Sequence, residues 1–218
     1  MTAVYDNSVF INCPFDSAYR PLFEAVVFAV YDCGFYPRSA LEVEDSSQVR
    51  IEKITTIIEQ CRLAIHDVSR TQIDKRTRLP RFNMPLELGI FLGAKAFGSA
   101  EQKRKAAIIL DTQPYRYQRY ISDIAGQDIR AHGGKPEEAI RVVRNFLATF
   151  SPRDVVLPGG DRIIARYEQF RSELPETCSD LHLDPTELMF GDLTRFILGW
   201  MASPAAHSRR LSPSDNNG

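Results

Sequence analysis

Up to residue 150, short apolar runs alternate with segments whose apolar residues recur at helical spacing. The apolar runs are short and rich in β-forming residues, which predicts buried strands. These runs cover 9–11, 63–68 and 106–111, a further extended segment is predicted at 35–40, and a short fifth strand is predicted at 128–130. The segments between them predict helices over 21–31, 46–60, 83–98 and 136–150, whereas 114–124 fits either a helix or an irregular lid. Strands that alternate with helices through short connections predict a parallel sheet covered on both faces.

After residue 150 the pattern changes. A stretch rich in Pro and Gly predicts a linker, and two helical patterns follow, over 161–174 and from Asp184 to Trp200. In the second pattern Asp184 is the expected N-cap, Pro185 the first helical residue and Glu187 the third. These helices carry many apolar residues, so we expect them to pack on the α/β part or on a partner. We therefore divide the chain into an α/β domain (8–150), a C-terminal helical appendage (158–202) and a polar, disordered tail (203–218).

Composition narrows the class of protein. The chain has 218 residues, of which 27 are basic and 28 acidic, so its formal net charge of −1 argues against general nucleic-acid binding. The longest apolar run, Phe23 to Tyr31, is too short to span a membrane, and the first residues do not resemble a signal peptide. The four cysteines show no C-x-x-C spacing and no metal-ligand pattern with the histidines. We expect a cytoplasmic protein with reduced thiols, no metal ion and no membrane contact.

Three polar loops follow predicted strands, at 12–16, 42–47 and 67–83. Parallel sheets bind ligands at this edge. The helix after the third loop carries Glu87 among Leu86, Leu88 and Ile90, and we expect that helix to be apolar nearly all round and buried. We place Glu87 in its first turn, with Asn83 as the N-cap. Glu87 then either balances the helix terminus or has a chemical use, because an apolar setting makes a carboxylate costly.

Several of these segments resemble a known family. Residues 9–16, the strand that ends in Asp67, and Asn83-Met84-x-x-Glu87-Leu88-Gly89 resemble the Toll/interleukin-receptor-like (TIR-like) nucleotide-binding proteins of bacteria. Nucleoside 2-deoxyribosyltransferases share that fold and a related Glu-Leu-Gly segment. The resemblance covers about 9–111, half of the chain. It implies a flavodoxin-like (TIR-like) parallel sheet of about five strands with helices on both faces.

The resemblance also implies a function. In both groups of relatives the Glu acts at an N-glycosidic bond, so Glu87 would be the catalytic carboxylate of an enzyme that cleaves NAD or a related nucleotide. The resemblance also implies a role in bacterial anti-phage defence. Asn83 would position the ribose or base, and Asp67 would contact a ribose or leaving group. The first-strand residues that would line the nucleotide pocket are Asn12, Phe15 and Asp16. No cofactor beyond the nucleotide is implied, and self-association into a homo-oligomer is expected, with the C-terminal helices as one surface for it.

Other functions and roles remain open at this stage. Arg81-Phe82-Asn83-Met84 stands where deoxyribosyltransferases usually have Asp-x-Gly-Thr, and Ile11-Asn12-Cys13-Pro14 stands where eukaryotic TIR domains have Ser/Thr-Tyr/Phe. The alternatives are a non-catalytic nucleotide sensor and a deoxyribosyltransferase-like enzyme. The basic loop over 70–81 is either solvated or a phosphate clamp, and the sequence does not rank Arg38 against Arg50 as further anion ligands. We expect His66 to be a core residue, His132 to be a weaker candidate for the site, and Cys13 not to be a nucleophile.

Overall fold

Five parallel strands form the centre of the molecule, in the order β2-β1-β3-β4-β5. The computed structural model describes residues 3–42, 44–71, 73, 78–79 and 81–203. The strands are β1 (Ser8–Asn12), β2 (Tyr36–Ser39), β3 (Leu63–Asp67), β4 (Ala106–Asp111) and β5 (Arg130–Ala131). Every neighbouring pair is parallel. This strand order is that of flavodoxin-like proteins, so the predicted fold class is confirmed.

Helices cover both faces of the sheet. The α-helices of the described residues are α1 (Ala3–Asn7), α2 (Arg20–Asp32), α3 (Arg50–Glu59), α4 (Asn83–Phe97), α5 (Pro136–Ala148), α6 (Gly160–Asp180) and α7 (Phe190–Ala202), of which α2 to α5 lie against the sheet. The core between α2, α5 and the sheet lies on one face, and the core that α3 and α4 share with the sheet lies on the other. The central strands β1 and β3 are buried at every residue, which explains why the sequence shows them as continuous apolar runs. Between β4 and β5 the chain forms two short 3-10 turns, so the 114–124 segment is irregular.

The C-terminal helices pack on α2 and form an additional layer. Leu22 to Val30 of α2 are all buried, because the sheet lies on one side and α6 and α7 lie on the other. The Phe28 ring lies 5.5 Å from the rings of Tyr167 and Phe170 and 5.8 Å from that of Trp200. The apolar faces of α6 and α7 therefore pack on the α/β part of the chain, which is the first of the two arrangements that the sequence predicts.

Several of the predicted helix boundaries were wrong. The helix predicted from residue 46 begins at Arg50. The segment after Asp184 is a turn, and α7 begins only at Phe190. The Asp184 Oδ1 accepts hydrogen bonds from the N–H and the hydroxyl of Thr186, both at 2.7 Å, so the side chain closes a local turn instead of capping a helix. The preceding helix, α6, extends past the predicted end and includes Pro175, which faces solvent.

Candidate active site

Glu87 occupies a core position of α4. The buried residues of this helix are Met84, Glu87, Leu88 and Phe91, which follow the spacing of a single helical face. Only 6 % of Glu87 is exposed, whereas Leu86 is 57 % exposed. The expectation of a helix buried nearly all round was wrong, because α4 covers the sheet with one face only. The carboxyl group therefore lies where the pattern of the helix calls for an apolar side chain.

The start of α4 also differs from the expected one. Phe82 is the N-cap and makes no side-chain capping bond, so Asn83 is the first helical residue and not the cap. The helix begins earlier than predicted because Leu86 N–H already bonds to the Phe82 carbonyl at 2.9 Å. Glu87 then falls in the second turn. Within the described part of the chain, Glu87 makes no hydrogen bond to the helix terminus, so capping does not explain its presence.

Glu87 lines a small cavity between α3 and α4. The cavity has a volume of about 150 Å³ and is lined by Arg50, Ile51, Ile54, Asn83, Leu86 and Glu87. Burial raises the pKa of Glu87 to about 7, and the positive charge of Arg50 opposes this rise. Near neutral pH the group is therefore divided between carboxylic acid and carboxylate. A buried acid with such a pKa, placed in a cleft, is typical of catalytic groups.

Asn12 connects this helix to the central strands. Its Nδ2 donates to the Met84 carbonyl at 2.9 Å and lies 2.9 Å from Nδ1 of His66. The acceptor Nδ1 leaves the ring proton on Nε2, which has no hydrogen-bond partner in the described part of the chain. Burial lowers the pKa of His66 to about 3, so the ring is a neutral core residue. Asn12 is only 2 % exposed, and its hydrogen bond to the Met84 carbonyl holds the start of α4 next to β1.

Asp67 holds three segments together at the carboxyl end of β3. It is fully buried, and its Oδ2 accepts a 2.5 Å hydrogen bond from the Tyr19 hydroxyl. Its Oδ1 accepts from Ser69 N–H at 2.8 Å. The Nε2 of His132 lies 3.0 Å from Oδ2, and the other ring nitrogen accepts from Gly134 N–H at 2.9 Å. Both oxygens of Asp67 are therefore engaged by protein groups, and the side chain is shielded from solvent.

Asp16 is paired with the basic loop. Its carboxylate lies 3.3 Å from Nη2 of Arg70 and 3.8 Å from Nη1 of Arg81. Phe15, 39 % exposed, lines a second cavity of about 250 Å³, one wall of which comes from the segment before α7. Phe15 and Asp16 thus line a different cavity from Glu87 and Asn83. The structure brings the predicted residues to one edge of the sheet but does not join them in one cavity, and Asn12 and Asp67 are buried and line neither of these two.

Cys13 lies between these groups. Its thiol is buried, and burial together with the charges of Asp67, Glu87 and Asp16 raises its pKa well above the usual range. The thiol is therefore protonated, which agrees with the expectation that it is not a nucleophile. The charges of Asp67, Glu87 and Asp16 all raise the pKa of this one thiol. Cys13 directly follows β1, and β1 is paired with β3. That position is the switch point of the sheet, where flavodoxin-like proteins bind ligands.

The sequence did not identify every residue of this region. Tyr19 and His132 meet at Asp67 only through the fold, and no local pattern links them. The sequence did not rank Arg38 against Arg50 as anion ligands, and the structure places them on different sides of α3. Arg38 pairs with Glu42 at 2.7 Å on the other side of α3, whereas Arg50 lines the Glu87 cavity.

Comparisons of the chain with protein-family models, with curated proteins and with solved structures found no match. Within the described ranges, no group of three or more His, Cys, Asp or Glu side chains is arranged to hold a metal ion. None of the helices in these ranges is both long and apolar enough to cross a bilayer.

Proposed function

We propose that this chain is an enzyme that cleaves the N-glycosidic bond of NAD or a related nucleotide, with Glu87 as the catalytic carboxylate. One observation carries the proposal: Glu87, an acidic residue that is 6 % exposed, lines a cavity at the edge of the sheet where parallel folds bind ligands. In the described part of the chain no hydrogen bond to a protein group satisfies it, and burial raises its pKa to about 7. Burying an acid there lowers the stability of the fold, and a role in acting on a ligand accounts for its presence.

The chemistry requires a negative charge beside the ribose. When the bond between ribose C1′ and the base nitrogen breaks, its electron pair leaves with the base and C1′ becomes electron-poor. A carboxylate at this position stabilises the oxocarbenium-like transition state or bonds to C1′, and water then completes hydrolysis. Asn83 lies one helical turn before Glu87 and lines the same cavity, so its amide is placed to hydrogen-bond a ribose hydroxyl.

A non-catalytic nucleotide sensor is the second candidate. A pKa of about 7 leaves much of Glu87 as the neutral acid at neutral pH, and a neutral acid can donate a hydrogen bond to a ligand without promoting bond cleavage. A deoxyribosyltransferase-like enzyme would use the same carboxylate but transfer the sugar to a second base. The three functions differ in what happens to the ligand.

Incubation of concentrated protein with NAD and a panel of nucleotides and nucleosides, followed by chromatography, tests the proposal. We expect release of nicotinamide or another free base, and a loss of at least about 100-fold in Glu87→Gln, because the neutral amide cannot stabilise the developing charge. Glu52→Gln is the matched control, since Glu52 is exposed in the first turn of α3 and does not line the cavity. Full turnover by Glu87→Gln would contradict the proposal.

The remaining outcomes separate the alternatives. Ligand that is retained by the protein and recovered intact would favour the sensor. Appearance of a new nucleoside when a second base is added would favour transfer over hydrolysis.

A further inference from the structure

We propose that Arg50 and the N-terminus of α3 bind a phosphate group of the substrate, so that the site selects nucleotides over nucleosides. This inference rests on the proposed function, because it concerns the same cavity. It assigns to Arg50 the role of a specificity-determining residue, separate from the chemistry at Glu87.

The size of the cavity indicates where a phosphate would lie. Its volume of about 150 Å³ is well below the roughly 300–1,000 Å³ of most small-molecule pockets. It therefore holds one ring of a nucleotide and leaves the rest outside. Ile51, Ile54 and Leu86 supply apolar walls that suit the faces of a ring. Arg50 is exposed where it lines this cavity, and so lies where the remainder of the ligand would emerge.

The charges of the region favour Arg50 over other arginines as the phosphate ligand. Arg38, Arg70 and Arg81 each have a carboxylate within 4 Å, on Glu42 or Asp16. In the described part of the chain, by contrast, Arg50 has no ion-pair partner. Its charge acts on Glu87 through the cavity. A guanidinium group without a carboxylate partner is available to a phosphate, which it binds with two parallel hydrogen bonds.

The backbone of α3 adds to this positive charge. The helix has ten residues, and its N-cap, Val49, is extended and offers no side-chain cap. Within the described residues, the N–H groups of Arg50 and Ile51 have no carbonyl acceptor, so they and the helix dipole are available to an anion. A helix terminus alone would not indicate a ligand. Here it borders a cavity that is also lined by Glu87, an acidic side chain that is more than nine-tenths buried and has no hydrogen-bond partner in the described ranges.

Calorimetric titration of the Glu87→Gln protein with two pairs of probes tests the proposal without turnover. The pairs are nicotinamide riboside with nicotinamide mononucleotide, and adenosine with AMP, which differ by one phosphate. We expect the phosphorylated member of at least one pair to bind more tightly. Adding Arg50→Gln should weaken nucleotide binding by about 10- to 100-fold and leave nucleoside binding within about twofold, since charge-assisted hydrogen bonds to phosphate are lost. Arg50→Lys should retain part of the preference.

Lys53→Gln on the same helix is the matched control, because Lys53 faces the groove with Arg38, Glu42 and Gln60 and not the Glu87 cavity. Equal weakening of nucleotide and nucleoside by Arg50→Gln would overturn the phosphate site, as would the same selective loss in Lys53→Gln. Absence of any preference for phosphorylated probes would overturn it as well. If the preference depends on Arg50 but the wild-type chain releases no base, the phosphate site is supported while the proposed hydrolysis fails.

Discussion

At the scale of single residues, Glu87 shows how a candidate catalytic group lowers the stability of its own fold. The ordinary pKa of its side chain is 4.5, and burial raises it to about 7. Below pH 4.5 the group is protonated in both the folded and unfolded chain and costs nothing. As the pH rises towards 7, the unfolded chain releases the proton while the folded chain keeps it, so stability falls. Above pH 7 the full cost is present, at most about 3 kcal/mol.

Glu87→Gln should therefore stabilise the protein at alkaline pH. We expect urea denaturation at pH 8 to show a gain in unfolding free energy of about 1 to 3 kcal/mol, because the buried charge is gone. At pH 4 the gain should disappear, since both side chains are then neutral. Glu52→Gln, which changes an exposed carboxylate, should show no such pH dependence. A gain of equal size at both pH values would contradict this account.

The sequence identified Glu87 but not the surroundings of Asp67, for a physical reason. An acid inside an apolar helical pattern is a local signal, and neighbouring residues are enough to reveal it. Asp67 is defined by its partners, and Tyr19 lies 48 residues away along the chain. Contacts of that kind depend on how the strands are ordered, which no local spacing encodes.

At the scale of structural elements, the Arg116 side chain connects the loop after β3 to Asp111 at the end of β4. Asp111 is fully buried, and its Oδ1 accepts a 2.7 Å hydrogen bond from Nε of Arg116. Nη2 of the same guanidinium donates to the carbonyls of Val68 at 3.1 Å and Ser69 at 2.7 Å. The Tyr120 hydroxyl lies 2.9 Å from both Asp111 Oδ2 and the Val68 carbonyl. The beginning of the loop that leads to α4 is thus held by the neighbouring strand.

Arg116→Ala should loosen this connection. The substitution leaves a buried carboxylate with fewer donors, and we expect it to lower the unfolding free energy by about 2 to 4 kcal/mol. Hydrogen exchange at 68–71 should accelerate more than exchange in α2, because the loss is local at first. Arg119→Ala, at an exposed position of the same 3-10 turn, is the control. Similar small effects of both substitutions would show that Arg116 does not fasten the loop.

The elements themselves were predicted more reliably than their ends. The strands and the central helices follow from apolar periodicity, which reflects burial against the sheet. The start of α7 was misplaced because Asp followed by Pro and Thr satisfies both a helix N-cap and a local turn. The same side-chain oxygen bonds to a nearby N–H in either case, so the sequence does not distinguish them.

At the scale of the whole molecule, α2 belongs to two layers at once. Its residues pack on the sheet and on α6 and α7, and one apolar cluster runs through all of them. The apolar faces of the C-terminal helices predicted that these helices pack against another surface. An apolar face does not specify which surface covers it. Self-association of the chain stays a prediction.

This shared core predicts that the described part of the chain unfolds in a single transition. Ile197 of α7 is fully buried, and Ile197→Ala should cost about 2 to 4 kcal/mol and shift the loss of sheet and helix signals together. Leu198→Ala on the same helix should have little effect, because Leu198 is 48 % exposed. Two separate calorimetric transitions, with only the first moved by Ile197→Ala, would instead indicate an independent C-terminal unit.

The four buried thiols have a consequence for following the motions of this protein. Cys13 lies after β1, Cys33 after α2, Cys61 before β3 and Cys178 within α6, and all four are free and buried. Burial raises the pKa of every one of them, so each is a poor nucleophile while its surroundings stay closed. An alkylating reagent can modify a thiol only when its layer opens. Cys61 belongs to the apolar core of α3 and α4, whereas Cys13, Cys33 and Cys178 belong to the core around α2, so the order of their modification records which core opens first.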